Sequence, residues 1–171
     1  VDAMGGDYAP REIVHGAVLA AREYGVAIQL VGVPDAIQAE LKRHSTAGLE
    51  ITIVPATEVV AMDEKPSRGV MRKKDSSIVI TTKQVAEGLA DGMVAAGSTG
   101  AAAVAAQIGL GRIKGVDRSA IACLMPTCTP NRCIVIDVGA NVECDAHQLE
   151  RNPTRLPCHR QPDCDCHDWT R

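Results

Sequence analysis

Short apolar runs alternate along the chain with segments in which apolar residues recur every three or four positions. An apolar run of this length is typical of a buried strand, whereas the recurrence is typical of a helix packed on one side. We predict strands at 27–32, 51–54, 92–97, 119–126 and 132–139, and the end of a first strand at 1–4. Helices are predicted at 10–24, 34–44, 76–91 and 99–110. The alternation predicts an α/β fold with a mainly parallel sheet.

Two segments allow more than one interpretation. Residues 57–77 are polar and charged without a strong period, and they form either a helical hairpin or a mobile loop. Residues 76–91 carry a β-branched cluster from Ile78 to Thr82, which favours a strand, but their wider apolar spacing favours a helix. We predict a helix there, because roughly 14 residues are too many for a typical strand.

Composition narrows the class of protein. Hydrophobic residues make up 46% of the 171 positions, and the absence of Phe makes the core aliphatic, as in strands covered on both faces by helices. The net charge of −3 gives no reason to expect nucleic acid binding. There is no apolar run of about 18 residues to span a membrane, and no signal-peptide pattern. None of the seven cysteines precedes Cys123, which favours a cytosolic protein over a disulfide framework.

Small and polar residues follow three of the predicted strands: MGGD at 4–7, GSTG at 97–100 and DVGAN at 137–141. The carboxyl ends of parallel strands form the edge where open α/β sheets bind ligands. The glycines allow close backbone approach, and Ser98 and Thr99 can cap the next helix, whose N-terminus favours an anion. Each motif alone is also explained by a glycine turn with a capping hydroxyl. The three together favour one shared phosphate site.

A basic cluster adds cations that could bind phosphate or an acidic protein, although most of its members are expected to be solvated. These residues are Lys65, Arg68, Arg72, Lys73, Lys74, Arg112, Lys114 and Arg118. The sequence has no GxSxG, no Walker loop and no HExxH, which are the common nucleophile, nucleotide and zinc signatures. We predict no cofactor and no metal.

The motifs taken together resemble the PlsX family of phosphate acyltransferases. Six of them occur in the family's order over residues 1–149: DAMGGDYAP, TEVVAMDEKP, RKKDSS, AGSTGA, LGRIKGVDR and IDVGANVEC. The resemblance implies transfer of a fatty acyl group from acyl carrier protein to inorganic phosphate, giving acyl phosphate for phospholipid synthesis. It also implies a three-layer α/β/α sandwich similar to isocitrate and isopropylmalate dehydrogenases, in a cytoplasmic homodimer that associates peripherally with the inner face of the membrane.

Chemistry of this kind needs no protein nucleophile, because a phosphate oxygen attacks the thioester carbonyl. The site must hold a dianion beside the carbonyl and stabilise an oxyanion. On the resemblance, Gly97, Ser98, Thr99 and Gly100 cradle phosphate, and Asp137 and Asn141 position the thioester or orient a lysine. Further candidates for charge balance, orientation or backbone donors are Asp7, Lys74, Lys114, Gly5, Gly6 and Gly139.

Three departures from the family pattern stand out. Tyr8 replaces a usual His, and Gly69 is expected to loosen a helical segment. The family pattern ends near 145, so we expect a PlsX-like domain at 1–145 and a non-family tail at 146–171, disordered or frame-shifted. The tail could bind a metal through Cys158, Cys164, Cys166 and His167, but out-of-frame sequence explains it better. Because the first residue is Val, we expect the natural start to lie upstream.

Two alternatives to acyl transfer from a carrier protein remain open. One is an enzyme similar to phosphate acetyl- or butyryl-transferases, which would use coenzyme A instead. The other is an inactive anion-binding fragment without the rest of its site, whose apolar strand edges would favour aggregation.

Overall fold

A computed structural model of the chain describes residues 1–112, 119–126 and 133–136. The chain divides into two compact units, Val1–Gly111 and Arg112–Arg171. The first unit contains helices α1 (Arg11–Tyr24), α2 (Pro34–Leu41), α3 (Pro66–Arg72), α4 (Ser77–Ala86) and α5 (Thr99–Gly109), and strands β1 (Ile28–Gly32) and β2 (Ile51–Pro55). Strands β3 (Ala122–Met125) and β4 (Cys133–Ile136) belong to the second unit. The predicted α/β class is confirmed.

A parallel ladder organises the first unit. Strands β1 and β2 pair in parallel from Ile28↔Ile51 to Gly32↔Pro55. Asp2 extends this arrangement on the other side of β1, because it bridges both Val31 and Ala95 in parallel. The sheet region is therefore mainly parallel, as predicted.

The predicted strand at 92–97 and the strand end at 1–4 are wrong as strands. Each makes isolated bridges through a single residue, Ala95 and Asp2 respectively. Their backbones are joined by a hydrogen bond of 2.9 Å from Asp2 N to Val94 O. Between these two segments the pairing is limited to the single bridge of Asp2 with Ala95.

The first helix follows its local signals. It starts directly after Pro10 and ends at Gly25, which has φ 64° and donates its N–H to Ala21 O over 3.1 Å. That left-handed conformation suits glycine. The helix packs its buried side into the main apolar core, which consists of Ala3, Val14, Ala17, Ala21, Ile28, Leu30 and Ile37. The helix prediction and its stop at Gly25 are confirmed.

Residues 57–77 do not form the helical hairpin that was one of the two predicted alternatives, because only one short helix, α3, lies between β2 and α4. The ends of this segment are tied together, since Asp75 accepts from the N–H of Thr57 over 3.1 Å and from the Thr57 hydroxyl. Glu58 also bridges Ser76. Gly69 does not interrupt α3; it is buried, and a Cβ there would lie 2.8 Å from Val60 Cγ1. Glycine thus allows close packing at this position.

The helix predicted at 76–91 is confirmed as α4, despite its β-branched residues. The hydroxyls of Thr81 and Thr82 donate to Ser77 O at 2.7 Å and Ile78 O at 2.9 Å. Such bonds to the preceding turn let buried threonines sit inside a helix. Helix α5 confirms the helix predicted at 99–110.

In the second unit, β3 and β4 pair antiparallel, with Ala122 opposite Ile136 and Met125 opposite Cys133. Both lie inside the strands predicted at 119–126 and 132–139. Across the described ranges, none of the helices has the length and apolarity to cross a membrane.

The core makes a testable prediction about stability. Leu30 is fully buried, so Leu30→Ala should lower the free energy of unfolding by about 2–5 kcal/mol in urea titrations. The matched control is Leu19→Ala, whose side chain is 46% exposed and whose change should stay within about 0.5 kcal/mol. Equal losses in the two variants would contradict the assigned core.

Candidate functional site

Two glycine turns that lie far apart in the sequence meet backbone to backbone. A Cβ on Gly5 would lie 3.0 Å from Gly97 N, and a Cβ on Gly97 would lie 2.9 Å from Gly5 Cα. Gly6 has φ 116°, and a Cβ there would lie 3.1 Å from Ala96 O. We call this packing of Gly5 and Gly6 against Ala96 and Gly97 the glycine contact. It brings the predicted MGGD and GSTG motifs together.

Helix α5 begins beside the glycine contact with two unpaired donors. Ser98 is its N-cap and accepts from Ala101 N over 3.3 Å, as predicted for a capping hydroxyl. None of the hydrogen bonds among the described residues is donated by the N–H groups of Thr99 or Gly100. Such groups at the positive end of the helix dipole favour an anion. The turn can therefore offer two amides to a phosphate.

Helix α3 flanks this N-terminus. A Cβ on Gly100 would lie 2.7 Å from Pro66 Cγ, so glycine allows the first turns of α3 and α5 to touch. The side chains of Lys65, Arg68 and Arg72 on and beside α3 are exposed. The start of α5 thus lies against a helix that carries several cations.

The predicted cations do not all remain available to a ligand. Lys73 is engaged, because its Nζ lies 2.6 Å from Glu64 Oε2 and 2.8 Å from Val59 O. The next residue, Lys74, is exposed and forms no ion pair within the described part of the chain. The exposure of Lys74 leaves it free to balance the charge of a bound anion.

Of the other predicted site residues, the structure describes Asp7 but not those from the second half of the chain. Asp7 is exposed and makes no side-chain hydrogen bond to a described residue. Lys114, Asp137, Gly139 and Asn141 lie outside the described residues, as does the Cys/His group of the tail. Within the described ranges, no group of three or more His, Cys, Asp or Glu side chains could hold a metal ion.

The sequence interpretation missed Asp2. This carboxylate is 4% exposed, and its Oδ1 accepts from Met4 N over 3.1 Å. Burial raises the pKa of Asp2, while hydrogen bonds from the Ser77 hydroxyl and the Met4 and Gly5 amides oppose the rise in pKa. One feature of the sequence could have indicated Asp2: it is an acidic residue between apolar residues, directly before the MGGD motif.

Two cavities lie near these residues. The smaller, of about 10 Å³, is lined by Asp2, Gly5, Gly97, Ser98 and neighbouring apolar side chains, so the glycine contact is closely packed. The larger, of about 780 Å³, is mainly apolar and is lined in part by Ile13, Ala17 and Ala96. Since Ala96 also belongs to the glycine contact, apolar space adjoins the turn.

A family model described as "Fatty acid synthesis protein" matches residues 1–155. The chain belongs to this family. It is 53% identical over 149 residues to the phosphate acyltransferase of Pelotomaculum thermopropionicum, covering 87% of this chain and 43% of that protein. The phosphate acyltransferase of Heliobacterium modesticaldum is 51% identical over 150 residues, covering 87% and 44% of the two chains. That of Synechococcus sp. (strain JA-3-3Ab) is 51% identical over 151 residues, covering 88% and 41%.

The chain therefore spans less than half the length of the curated relatives it matches. The glycine contact and the start of α5 both lie in the matched part. The structure thus describes a portion of the family's fold in which two of the family motifs meet.

The glycine contact can be tested by adding one methyl group. In Gly97→Ala the new Cβ meets backbone atoms of Gly5, which cannot move as a flexible side chain can. We expect a loss of about 1–3 kcal/mol of stability, with displaced amide resonances of Gly5 and Gly6 in NMR spectra. Gly92→Ala is the control, because nothing lies within 4 Å of its Cβ. Unmoved Gly5 and Gly6 resonances in Gly97→Ala would contradict the contact.

The Lys73–Glu64 pair makes stability depend on pH. The hydrogen bond from Lys73 lowers the pKa of Glu64 below its ordinary value of 4.5. The folded chain therefore binds fewer protons there than the unfolded chain, so the stabilisation is present above 4.5 and is lost as pH falls through the lowered pKa. We expect Glu64→Gln to be less stable than the unsubstituted chain near neutral pH and to converge with it in acid.

Urea titrations across this pH range measure the effect. Glu23→Gln is the control, since the Glu23 side chain is exposed and forms no ion pair among the described residues. A stability difference for Glu64→Gln that stays constant with pH would show that the ion pair is not its cause.

Proposed function

We propose that this chain supplies the phosphate-binding part of an enzyme that transfers an acyl group to inorganic phosphate. The observation that carries the proposal is the start of α5, where Ser98 caps the helix beside the glycine contact and the amides of Thr99 and Gly100 have no hydrogen-bond partner among the described residues. The relatives named phosphate acyltransferase support the same reaction class.

The arrangement suits attack by phosphate on an acyl thioester. Phosphate is itself the nucleophile, so the protein must orient it and stabilise the negative charge that develops on the carbonyl oxygen. Backbone amides held by a capped helix and a rigid glycine contact can do this without reorganising during the reaction. The apolar cavity lined in part by Ala96 supports an acyl substrate, because an aliphatic chain gains free energy by leaving water.

The exposed cations of α3 support an acidic donor protein, which we propose is acyl carrier protein. Gly100 and Pro66 bring this helix against the start of α5, so a protein docked on Arg68 and Arg72 would have its thioester near the phosphate. Lys73 contributes little to docking, since Glu64 already neutralises it. The donor's charge would then act mainly on the rate of association.

The remaining expectations concern the whole protein. We propose a homodimer in the cytoplasm, with peripheral attachment to the inner face of the membrane, and a complete sheet in a three-layer α/β/α sandwich like that of isocitrate and isopropylmalate dehydrogenases. Asp137, Asn141, Gly139 and Lys114 stay proposed site residues. Asp7 and Lys74 are proposed to adjust charge around the anion.

The first experiment measures phosphate binding to the 171-residue chain by NMR titration with inorganic phosphate. We expect the amides of Thr99 and Gly100 to shift, because they make no other hydrogen bond in the described part. Ser98→Ala should weaken binding by about tenfold, the typical effect of a lost cap and its hydrogen bond. Ser67→Ala is the matched control, since Ser67 is exposed on α3. The same phosphate titration with Lys74→Ala tests whether the Lys74 cation helps to balance the charge of the bound anion.

A second arm measures acyl phosphate formation. The 171-residue chain is compared with a chimera that continues into the remaining part of the Pelotomaculum thermopropionicum phosphate acyltransferase, each with acyl carrier protein and with coenzyme A as thioester donor. We expect turnover by the chimera with the carrier-protein donor. If the chimera turned over only the coenzyme A thioester, the proposed donor, acyl carrier protein, would be wrong and coenzyme A would take its place. Absence of both phosphate binding and turnover would reject the proposed function.

A further inference from the structure

Asp2 has a buried carboxylate that none of the proposed steps uses. It is the one charged side chain in the buried part of the described structure, at 4% exposure. Removing a carboxylate from water is costly unless hydrogen bonds replace its hydration. Because burying the Asp2 carboxylate costs free energy, and because it lies beside the glycine contact, we expect Asp2 to have a structural role at that contact.

Its contacts reach three separate segments. Asp2 Oδ1 accepts from Met4 N over 3.1 Å, and Oδ2 lies 2.9 Å from the position that a Gly5 Cβ would occupy. The Ser77 side chain at the start of α4 interacts with the same carboxylate and opposes the rise in its pKa. Through its backbone, Asp2 also donates to Val94 O over 2.9 Å. One residue therefore links the turn after Asp2, helix α4 and the segment that leads into Gly97.

The glycine contact needs such a link. Backbone-to-backbone packing of Gly5 on Gly97 has no side chains that interlock, so its geometry must be imposed from outside. A carboxylate is suited to this, because both of its oxygens only accept hydrogen bonds, and the groups beside it, the Met4 amide and the Ser77 hydroxyl, are able to donate. An asparagine of the same shape would turn one NH₂ group towards these donors.

We propose that Asp2 is a positioning residue: its carboxylate fixes the turn of Met4 and Gly5 so that Gly5 packs on Gly97 and the α5 amides of the phosphate site are held in place. The proposal rests on the proposed function for its effect on phosphate. Its structural part, the placement of Gly97 by Asp2, does not require a ligand. Asp2 itself touches neither phosphate nor the acyl group.

The test compares Asp2→Ala and Asp2→Asn with the unsubstituted 171-residue chain. We expect Asp2→Ala to weaken binding of inorganic phosphate by about tenfold, as buried donors left without their acceptor typically do, and to displace the Gly97 and Thr99 amide resonances. Asp2→Asn keeps the shape and one acceptor oxygen, so it should show a smaller loss. Asp91→Asn is the control at an exposed aspartate and should change neither measurement.

The possible outcomes separate positioning from simple stabilisation. A folded Asp2→Ala chain that melts earlier but binds phosphate with unchanged affinity and keeps its Gly97 resonance would overturn the proposal. If Asp2→Ala does not fold, Asp2→Asn decides: unchanged affinity and unmoved Gly97 and Thr99 resonances would reject it. If the unsubstituted chain itself binds no phosphate, the proposed function fails, and the Gly97 resonance in Asp2→Asn still tests positioning.

Discussion

The close approach of Gly5 to Gly97 is the constraint on which the rest of the site depends. Each Cα lies where the other residue's side chain would be, so the two turns can meet only because neither carries a Cβ. This approach joins two motifs more than 90 positions apart and places the start of α5 beside the first turn. The buried carboxylate of Asp2 lies beside this contact, and Met4 N donates a hydrogen bond to its Oδ1.

Helix α3 serves the site through its exposed face and its anchorage. The tie between Thr57 and Asp75 closes the segment that carries the helix, and the Lys73–Glu64 ion pair joins residues that flank the two ends of α3. These contacts fix the backbone while Arg68 and Arg72 stay in water. A rigid helix with mobile cations suits electrostatic recognition, in which long-range attraction matters more than an exact fit.

Membership of the family and the geometry of the turns complement each other. The family match covers most of this chain but less than half of each relative, so it says little about how a site would be completed. The structure adds what a match cannot, namely which backbone groups lie at the start of α5 without a hydrogen-bond partner among the described residues. Unpaired amides at the start of α5 are a physical reason to place an anion there, independent of the family.

Features with a local cause could be predicted from the sequence. Helix α1 ends at Gly25 because a left-handed residue follows the last turn, and α5 begins at Ser98 because its hydroxyl caps the next amides. Short apolar runs likewise identified β1 and β2. These signals lie within a few residues of the element they control, so the sequence shows them directly.

Tertiary structure decided the features that depend on distant residues. The segment at 92–97 has the apolar pattern of a strand, but whether it forms one depends on its partner from the start of the sequence, and it makes a single bridge, from Ala95 to Asp2. Lys73 and Lys74 are alike in sequence, and only the position of Glu64 determines which is engaged. The sequence by itself determined the α/β alternation, the end of α1, the start of α5 and the two glycine motifs. That Asp2 is buried and that the motifs touch was decided by folding, because burial and backbone contact depend on chain segments brought together from far apart.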